Sequence, residues 1–257
     1  MDNTCKNIKI PNVAKKIIQT IEKNGSCAYI VGGYIRDFIR EADLQNSDID
    51  IATNATPNKV EQMFGNVKGI TYPLGKEFGT IGFRPKGENQ TFEITTFRTE
   101  EAYTDGRHPD SVTFAKTIEE DLSRRDFTCN AIACNANGNI VDPFNGIEDI
   151  HNNVIRTVGN PKDRFEEDHL RILRALRFAS QLDFTIEDST ASAIREMKDT
   201  INSVSSERIR EELTKLLCGK NVKQVLTNYS DVIFEIIPEL APLYNYDQKT
   251  KYHSYDA

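Results

Sequence analysis

Two aspartates, Asp48 and Asp50, stand two residues apart in the run DIDIAT. Read as a strand, that run alternates its faces, so both carboxylates point one way while Ile49 and Ile51 point into a core. Like carboxylates side by side repel unless a cation lies between them or one keeps a proton. Just upstream, an apolar strand (Ala28 to Val31) turns through Gly32 and Gly33 into a short helix carrying Arg36. Glycines let the backbone approach a ligand closely, and a helix start offers N–H groups and a positive dipole end to an anion. Arg36, one turn in, adds a guanidinium suited to a bidentate phosphate contact. A phosphate cradle beside paired carboxylates is the layout for Mg²⁺-dependent phosphoryl or nucleotidyl transfer. The competing reading is a strand, turn and helix with a surface Asp pair, because D-x-D alone is a common pattern. The glycines and Arg36 immediately before it favour the metal site.

Further candidates follow along the chain. Glu93 lies mid-strand in FEITTFR, either on a solvated face or, if that strand neighbours the Asp48/Asp50 strand, as a third acid. Arg107 and Asp110 lie in TDGRHPDSV, within a stretch from Arg98 to Thr117 that has no periodicity. Loops of that length are functional or disordered, so these two side chains face either a substrate or solvent. Arg124 and Arg125 put adjacent cations, suited to a triphosphate or simply to a surface, ahead of the compact polar run Asp126 to Asn130. From about Glu166 a helix without breakers carries Asp168, Arg171, Arg174 and Arg177 at every third position, among Leu170, Ile172, Leu173, Leu176, Phe178 and Leu182. Each three-residue step lags about 60° behind the helical repeat, so these charges wind as a ridge. Arginines on an otherwise apolar helix need anionic partners. The competing reading is internal pairing, with Asp168 and Arg171 as an i,i+3 salt bridge, which leaves cations over.

The elements that must position these residues are legible in part. Val13, Ile17, Ile18 and Ile21 predict a helix from Asn12 to Lys23, ended by Gly25. Thr56 and Pro57 read as an N-cap and first helical position, opening a helix to about Phe64. Strands are expected near Val67 to Tyr72, Gly79 to Arg84 and Thr91 to Phe97, the last two joined through PKGENQ as an antiparallel hairpin. Ala131 to Cys134 and Asn139 to Asp142 form a second hairpin around an Asn-Gly turn. Later helices are expected at Glu187 to Lys198, Glu207 to Cys218 (capped by Ser205 or Ser206, ended by Gly219) and Asn221 to Ile237. The chain changes from mixed to all-helical near Asp149 to Asn153.

Bulk properties narrow the classes. A net charge of −7 argues against a broad nucleic-acid-coating surface while allowing a local basic groove. The five cysteines are odd in number, and Cys129 and Cys134 lack zinc-knuckle spacing, so free buried thiols are expected. No apolar run is long enough to cross a membrane and the opening MDNTCKNIKI lacks a signal pattern, which points to the cytoplasm.

Taken in order, GGYIRD with DIDIAT, EITTFR with TDGRHPDSV, SRRDFTCNAIA with VDPFNG, RFEEDHLRILRALRFASQL and SSERIREELTKLL resemble the class II tRNA nucleotidyltransferases, a family shared by CCA-adding enzymes and bacterial poly(A) polymerases. The resemblance covers nearly the whole chain. It implies an α+β fold: a polymerase-β-like nucleotidyltransferase head with a small mixed sheet at residues 1–150, an all-helical neck at 151–203 and a helical body at 204–257. It implies that Asp48 and Asp50 bind two Mg²⁺ ions, with Glu93 as the third catalytic acid. Gly32, Gly33, Arg36, Arg125, Asp126 and Asn130 then contact the nucleotide, and Asp168 and Arg171 read its base, with Arg174 and Arg177 further along the same motif.

The implied activity is template-independent addition of C and A to the 3′ end of tRNA, from CTP and ATP. Cytosine and adenine both present an exocyclic amine beside an unprotonated ring nitrogen, which a carboxylate and a guanidinium match. Guanine and uracil reverse the pattern. Alternatives are a poly(A) polymerase, an enzyme adding only CC or only A, and, from another class, a catalytically silent nucleotide- or RNA-binding module. The intact TDGRHPDSV loop argues against CC-only addition, and the presence of all three acids argues against the silent module. Two departures stand out: the loop between Arg36 and Asp48 is a couple of residues longer than the family's, and relatives continue past KYHSYDA into a tail that grips tRNA. The chain is therefore expected to be a fragment without that tail. Its ending resembles the lead-in to an HD-type domain, but no HD pair is present.

Overall fold

The structure, a computed structural model, describes residues 8–44, 47–101, 111–244 and 246. It forms two units that divide at Asn160/Pro161. The first contains α1 (Asn12–Lys23), β1 (Ala28–Val31), α2 (Gly33–Ile39), β2 (Asp50–Thr53), α3 (Pro57–Phe64), β3 (Gly69–Pro73), β4 (Thr80–Pro85), β5 (Phe92–Thr96), β6 (Arg98–Glu101), β7 (Ser111–Phe114), α4 (Ile118–Ser123), β8 (Ala133–Cys134), β9 (Ile140–Val141) and α5 (Gly146–His151).

Seven strands make one mixed sheet in the order β3-β4-β5-β2-β1-β8-β9, with β2 and β5 parallel in an otherwise antiparallel arrangement. One face is covered by α1 and α3, because their apolar residues recur at helical spacing: Ala14, Ile17, Ile18 and Ile21 on α1, and Val60, Met63 and Phe64 on α3, are buried. Phe64 packs on Phe83 of β4 with ring centroids 4.4 Å apart. On the other face Val31, Ala52 and Ala133 form a core with Ile118 and Leu122 of α4. Thr56 precedes α3 as expected but makes no capping hydrogen bond; Pro57, which has no N–H to satisfy, starts the helix. The stretch expected to be irregular from Arg98 contains a two-stranded ribbon, β6 with β7, while Arg107 and Asp110 lie outside the described residues.

The division falls later than residue 150 because 156–158 are sewn onto the head. The Thr128 amide donates to the Arg156 carbonyl (2.9 Å), and the Val158 amide to the Asp126 carbonyl (3.1 Å). The second unit holds α6 (Pro161–Glu167), α7 (Leu170–Leu182), α8 (Asp188–Glu196), α9 (Ser206–Leu217), α10 (Val222–Asn228) and α11 (Ser230–Ile236). Here α7 and α9, expected in separate neck and body, pack directly on each other. The expected continuous helix from Glu166 is broken at Asp168 and His169, because the Asp168 side chain takes the Leu170 amide (3.1 Å) in place of a helical carbonyl. The expected helix 221–237 is likewise split, at Tyr229, whose backbone (φ −126°) is not helical and whose ring lies under Arg195.

Among the described cysteines none is paired. Cys129 and Cys134 are buried as expected, with burial pushing their thiols up to about 12 and about 11, but Cys27 is half-buried and Cys218 exposed. No helix among the described residues is long and apolar enough to cross a membrane.

Candidate active site

Two adjacent rows of the sheet explain where the acids stand. Ile81, Ile94, Ile51 and Ile30 are register partners across four strands, each fully buried. One residue along each strand, and therefore on the opposite face, the row reads Gly82, Glu93, Asp50, Val31 and Ala133. Asp50 and Glu93 are direct partners, and both are exposed. The condition under which Glu93 joins the aspartates, that its strand neighbours theirs, is met. Asp48 stands just before β2, since pairing begins at Asp50.

The electrostatics follow. The Asp50 carboxyl is pushed up to about 6, first by the protein atoms crowded around it, then by the charges of Glu93 and Asp48, with Arg125 pulling the other way. Solvent still reaches the side chain, so the site is open to a ligand even though its charge is poorly hydrated. Among the described residues no three such side chains are already gathered into a finished metal cage. The donor set nevertheless fits a hard divalent cation: the ligands are all oxygen, and their excess negative charge is what a cation relieves.

Beside the acids, β1 runs into Gly32. Its φ of +72° is one that L side chains rarely adopt, and a Cβ there would stand 3.2 Å from Arg125 Nη1. The Gly32 amide donates to the Ile132 carbonyl at 3.1 Å, pinning the turn. A Cβ at Gly33 would meet only ordinary contact, 3.7 Å from Arg36 Nη2. Arg125 is held by Asp121: Nη2 donates to Oδ2 at 3.1 Å, while Arg124 takes Oδ1 at 2.9 Å. Burial alone would raise the Asp121 carboxyl, but the two guanidiniums override it and hold the pKa below the ordinary value.

Arg36 is buried rather than reaching outward. Its Nη1 donates to Asn130 Oδ1 (2.8 Å), and its Nε and Nη2 fork onto Asp37 (2.9 and 2.8 Å). Asn130 in turn donates to Asp126 Oδ1 at 3.2 Å, which also accepts from the Phe127 amide at 2.8 Å. Arg36, Asn130 and Asp126 thus form one chain behind the Gly32 turn. The VDPFNG motif supports it from below. Asp142 accepts from the Gly146 and Ile147 amides (2.8 and 2.9 Å), and Gly146 abuts the 128–130 turn so closely that a Cβ would lie 2.1 Å from the Thr128 carbonyl oxygen.

In the second unit the competing reading, an Asp168–Arg171 salt bridge with cations left over, does not hold. Asp168 is gripped by Arg208 of α9, at 3.2 and 2.7 Å, and Arg171 Nη1 donates to Glu167 at 2.5 Å and to the Arg164 carbonyl at 3.1 Å. Buried Glu212 serves Arg177, with Nε to Oε2 at 2.8 Å but off the line of a good hydrogen bond, and Arg174 more distantly at 3.9 Å. Sequence reasoning passed over Asp121, Glu167, Arg208 and Glu212. Asp121 stands three and four residues before Arg124 and Arg125, and Glu167 four before Arg171, which are helix-face ion-pair spacings. Arg208 and Glu212 carry no local signal.

An acid pair in register, a glycine turn under a fixed arginine and a short crossover sheet point to one kind of domain. A family profile described as "Poly A polymerase head domain" matches residues 28–156. The chain belongs to that family. A second profile, "Probable RNA and SrmB- binding site of polymerase A", matches residues 183–243. Among curated relatives, a CCA-adding enzyme of Lactobacillus helveticus is 43% identical over 91% of this chain and 57% of its own length. One from Staphylococcus haemolyticus is 47% identical over 87% of this chain and 54% of its own. The chain spans about half the length of the curated relatives it matches. Of solved structures, the Bacillus stearothermophilus CCA-adding enzyme in complex with CTP aligns at TM-score 0.76 and 38% identity, over 90% of this chain and 53% of that one. The Thermotoga maritima CCA-adding enzyme complexed with tRNA aligns at TM-score 0.72 and 26% identity, over 92% and 55%. Divalent-metal dependence accompanies nucleotidyltransferase heads of this family.

Proposed function

We propose that the chain carries the transferase machinery of a CCA-adding enzyme, joining C and A to the 3′ end of tRNA from CTP and ATP without a template, in the cytoplasm. The observation that carries this reading is the in-register pair Asp50 and Glu93 beside the Gly32 turn, in a chain whose relatives bear that name.

Asp48, Asp50 and Glu93 would hold two Mg²⁺ ions, which when bound acidify the primer's 3′-hydroxyl and stabilise the departing pyrophosphate. The Gly32 turn lets phosphate oxygens come close to backbone. Arg125, fixed by Asp121, presents its guanidinium at that turn, and Arg36 holds Asn130 and Asp126 in place behind it. In the helical unit, Asp168 accepts from the exocyclic amine of C or A and Arg171 donates to the neighbouring ring nitrogen. UTP and GTP would leave these groups mispaired, a loss of a few kcal/mol.

The test is to offer tRNA ending at the discriminator base, at CC and at CCA, each with all four nucleoside triphosphates, and to sequence the products. Completion to CCA on the first two and none on the third supports the reading. Runs of A on all three would mark a poly(A) polymerase, the second reading, favoured by the name of the head profile. Nucleotide binding without incorporation would mark a silent module.

A further inference from the structure

Asp168 and Arg171 carry opposite charges three residues apart, and yet neither is the other's partner. Arg208, 40 residues away on α9, forks onto both oxygens of Asp168, Nη1 to Oδ1 at 3.2 Å and Nη2 to Oδ2 at 2.7 Å. Arg171 has its own anchor: its Nη1 donates to Glu167 (2.5 Å) and to the Arg164 carbonyl (3.1 Å). If the two paired with each other, the acceptor and the donor needed by a base would be spent on one salt bridge. With separate anchors, Oδ2 keeps a second lone pair for a base, while Oδ1 is taken up by Arg208 and the Leu170 amide. The carboxylate plane, which otherwise turns broadly about its last torsion, is set by a two-point fork.

We propose that Arg208 is a positioning residue for nucleotide selection, holding the Asp168 carboxylate apart from Arg171 and in the plane from which it accepts the amine of C or A. This rests on the reading that Asp168 and Arg171 select the base. A helix staple is the rival role, and the same seam already has staples: Arg177 with Glu212, and the Ser180 hydroxyl donating to the Leu216 carbonyl at 2.7 Å.

Arg208→Lys separates the two roles, because lysine keeps the charge but presents one point contact instead of a fork. CTP and UTP would be compared with Arg208→Lys, Arg208→Ala and Asp168→Ala, both as single incorporations on tRNA ending at the discriminator base and as equilibrium binding, beside thermal melts. The expected result is that Arg208→Lys melts close to the parent while its preference for CTP over UTP falls about tenfold, the size of one charge-assisted hydrogen bond. Adding Arg208→Lys to Asp168→Ala should then lower the preference no further. A lysine variant with parental selectivity, whatever its melting point, overturns the positioning role, and so does a further loss in the double variant. If Asp168→Ala itself keeps parental selectivity, the base-reading assignment fails and the proposal falls with it. Should Arg208→Ala not fold, the lysine variant alone carries the test.

Discussion

Asp50 and Glu93 are direct partners across β2 and β5, so two carboxylates share one face at about one strand spacing, ~4.8 Å. Burial first, and then this neighbour's charge, raise the Asp50 carboxyl from its ordinary 3.8 to about 6 on folding. A folded-state pKa above the unfolded one contributes stability that is full below about pH 4 and is lost as pH rises through about 6. Asp50→Asn should remove that decline, melting above the parent at about pH 8 and level with it near pH 4. Mg²⁺ should raise the parent's midpoint at the higher pH and leave the variant's almost unmoved. Incorporation should vanish in Asp50→Ala and Asp48→Ala. An Asn variant that melts below the parent at high pH would contradict the like-charge account.

Glu93 pushes Asp50 upward more than Asp48 does. In Glu93→Gln the Asp50 carboxyl should titrate closer to its ordinary value, measured by carbon NMR of the side-chain carboxyl. On the proposed reading of Glu93 as the third acid, turnover should fall far more than nucleotide affinity. An unmoved Asp50 titration would separate the two groups, and parental turnover would return Glu93 to a merely solvated strand position.

Asp121 is 1% exposed and holds two arginines. Asp121→Asn removes the buried charge that Arg124 and Arg125 share, a change expected to cost about 3 kcal/mol in urea melts and to weaken CTP binding as Arg125 loses its hold. In the parent this contribution is present above the ordinary carboxyl range and lost as pH falls through the lowered folded pKa. Unchanged melts with unchanged CTP affinity would show that Arg125 is held by something else.

Gly219 approaches α7 so closely that a Cβ would lie 2.0 Å from Ser180 Oγ and 2.6 Å from the Ser180 carbonyl carbon. Gly219→Ala should destabilise by about 3 kcal/mol or more. Adding Ser180→Ala should recover only part of it, since the backbone carbon stays in place. Full recovery in the double variant would mean that only the hydroxyl was in the way.

Local pattern carried much of this far. The apolar spacing of Val13, Ile17, Ile18 and Ile21 marks α1 to its observed ends, and the PKGENQ and Asn-Gly turns mark both hairpins. The Thr117-to-Glu120 capping box that starts α4 was equally legible in TIEE and was passed over. The break at Asp168 escaped notice because no glycine or proline marks it; a side chain competing for one amide does the work. What no local pattern contains is the choice of neighbour. That β5 lies beside β2, or that Arg208 reaches Asp168, depends on packing between distant segments.

The parallel join of β2 to β5 also sets an order of assembly. Parallel neighbours require a crossover, and here α3, β3 and β4 lie between them in the chain. β1 and β2 can pair early, but Glu93 reaches Asp50 only after that intervening segment has been made and folded, since contacts distant in sequence form late. A chain emerging N-terminus first thus shows its glycine turn and first aspartates while still inert. On the proposed function, a nascent copy therefore lacks the paired acids of the transfer site until β5 has been made.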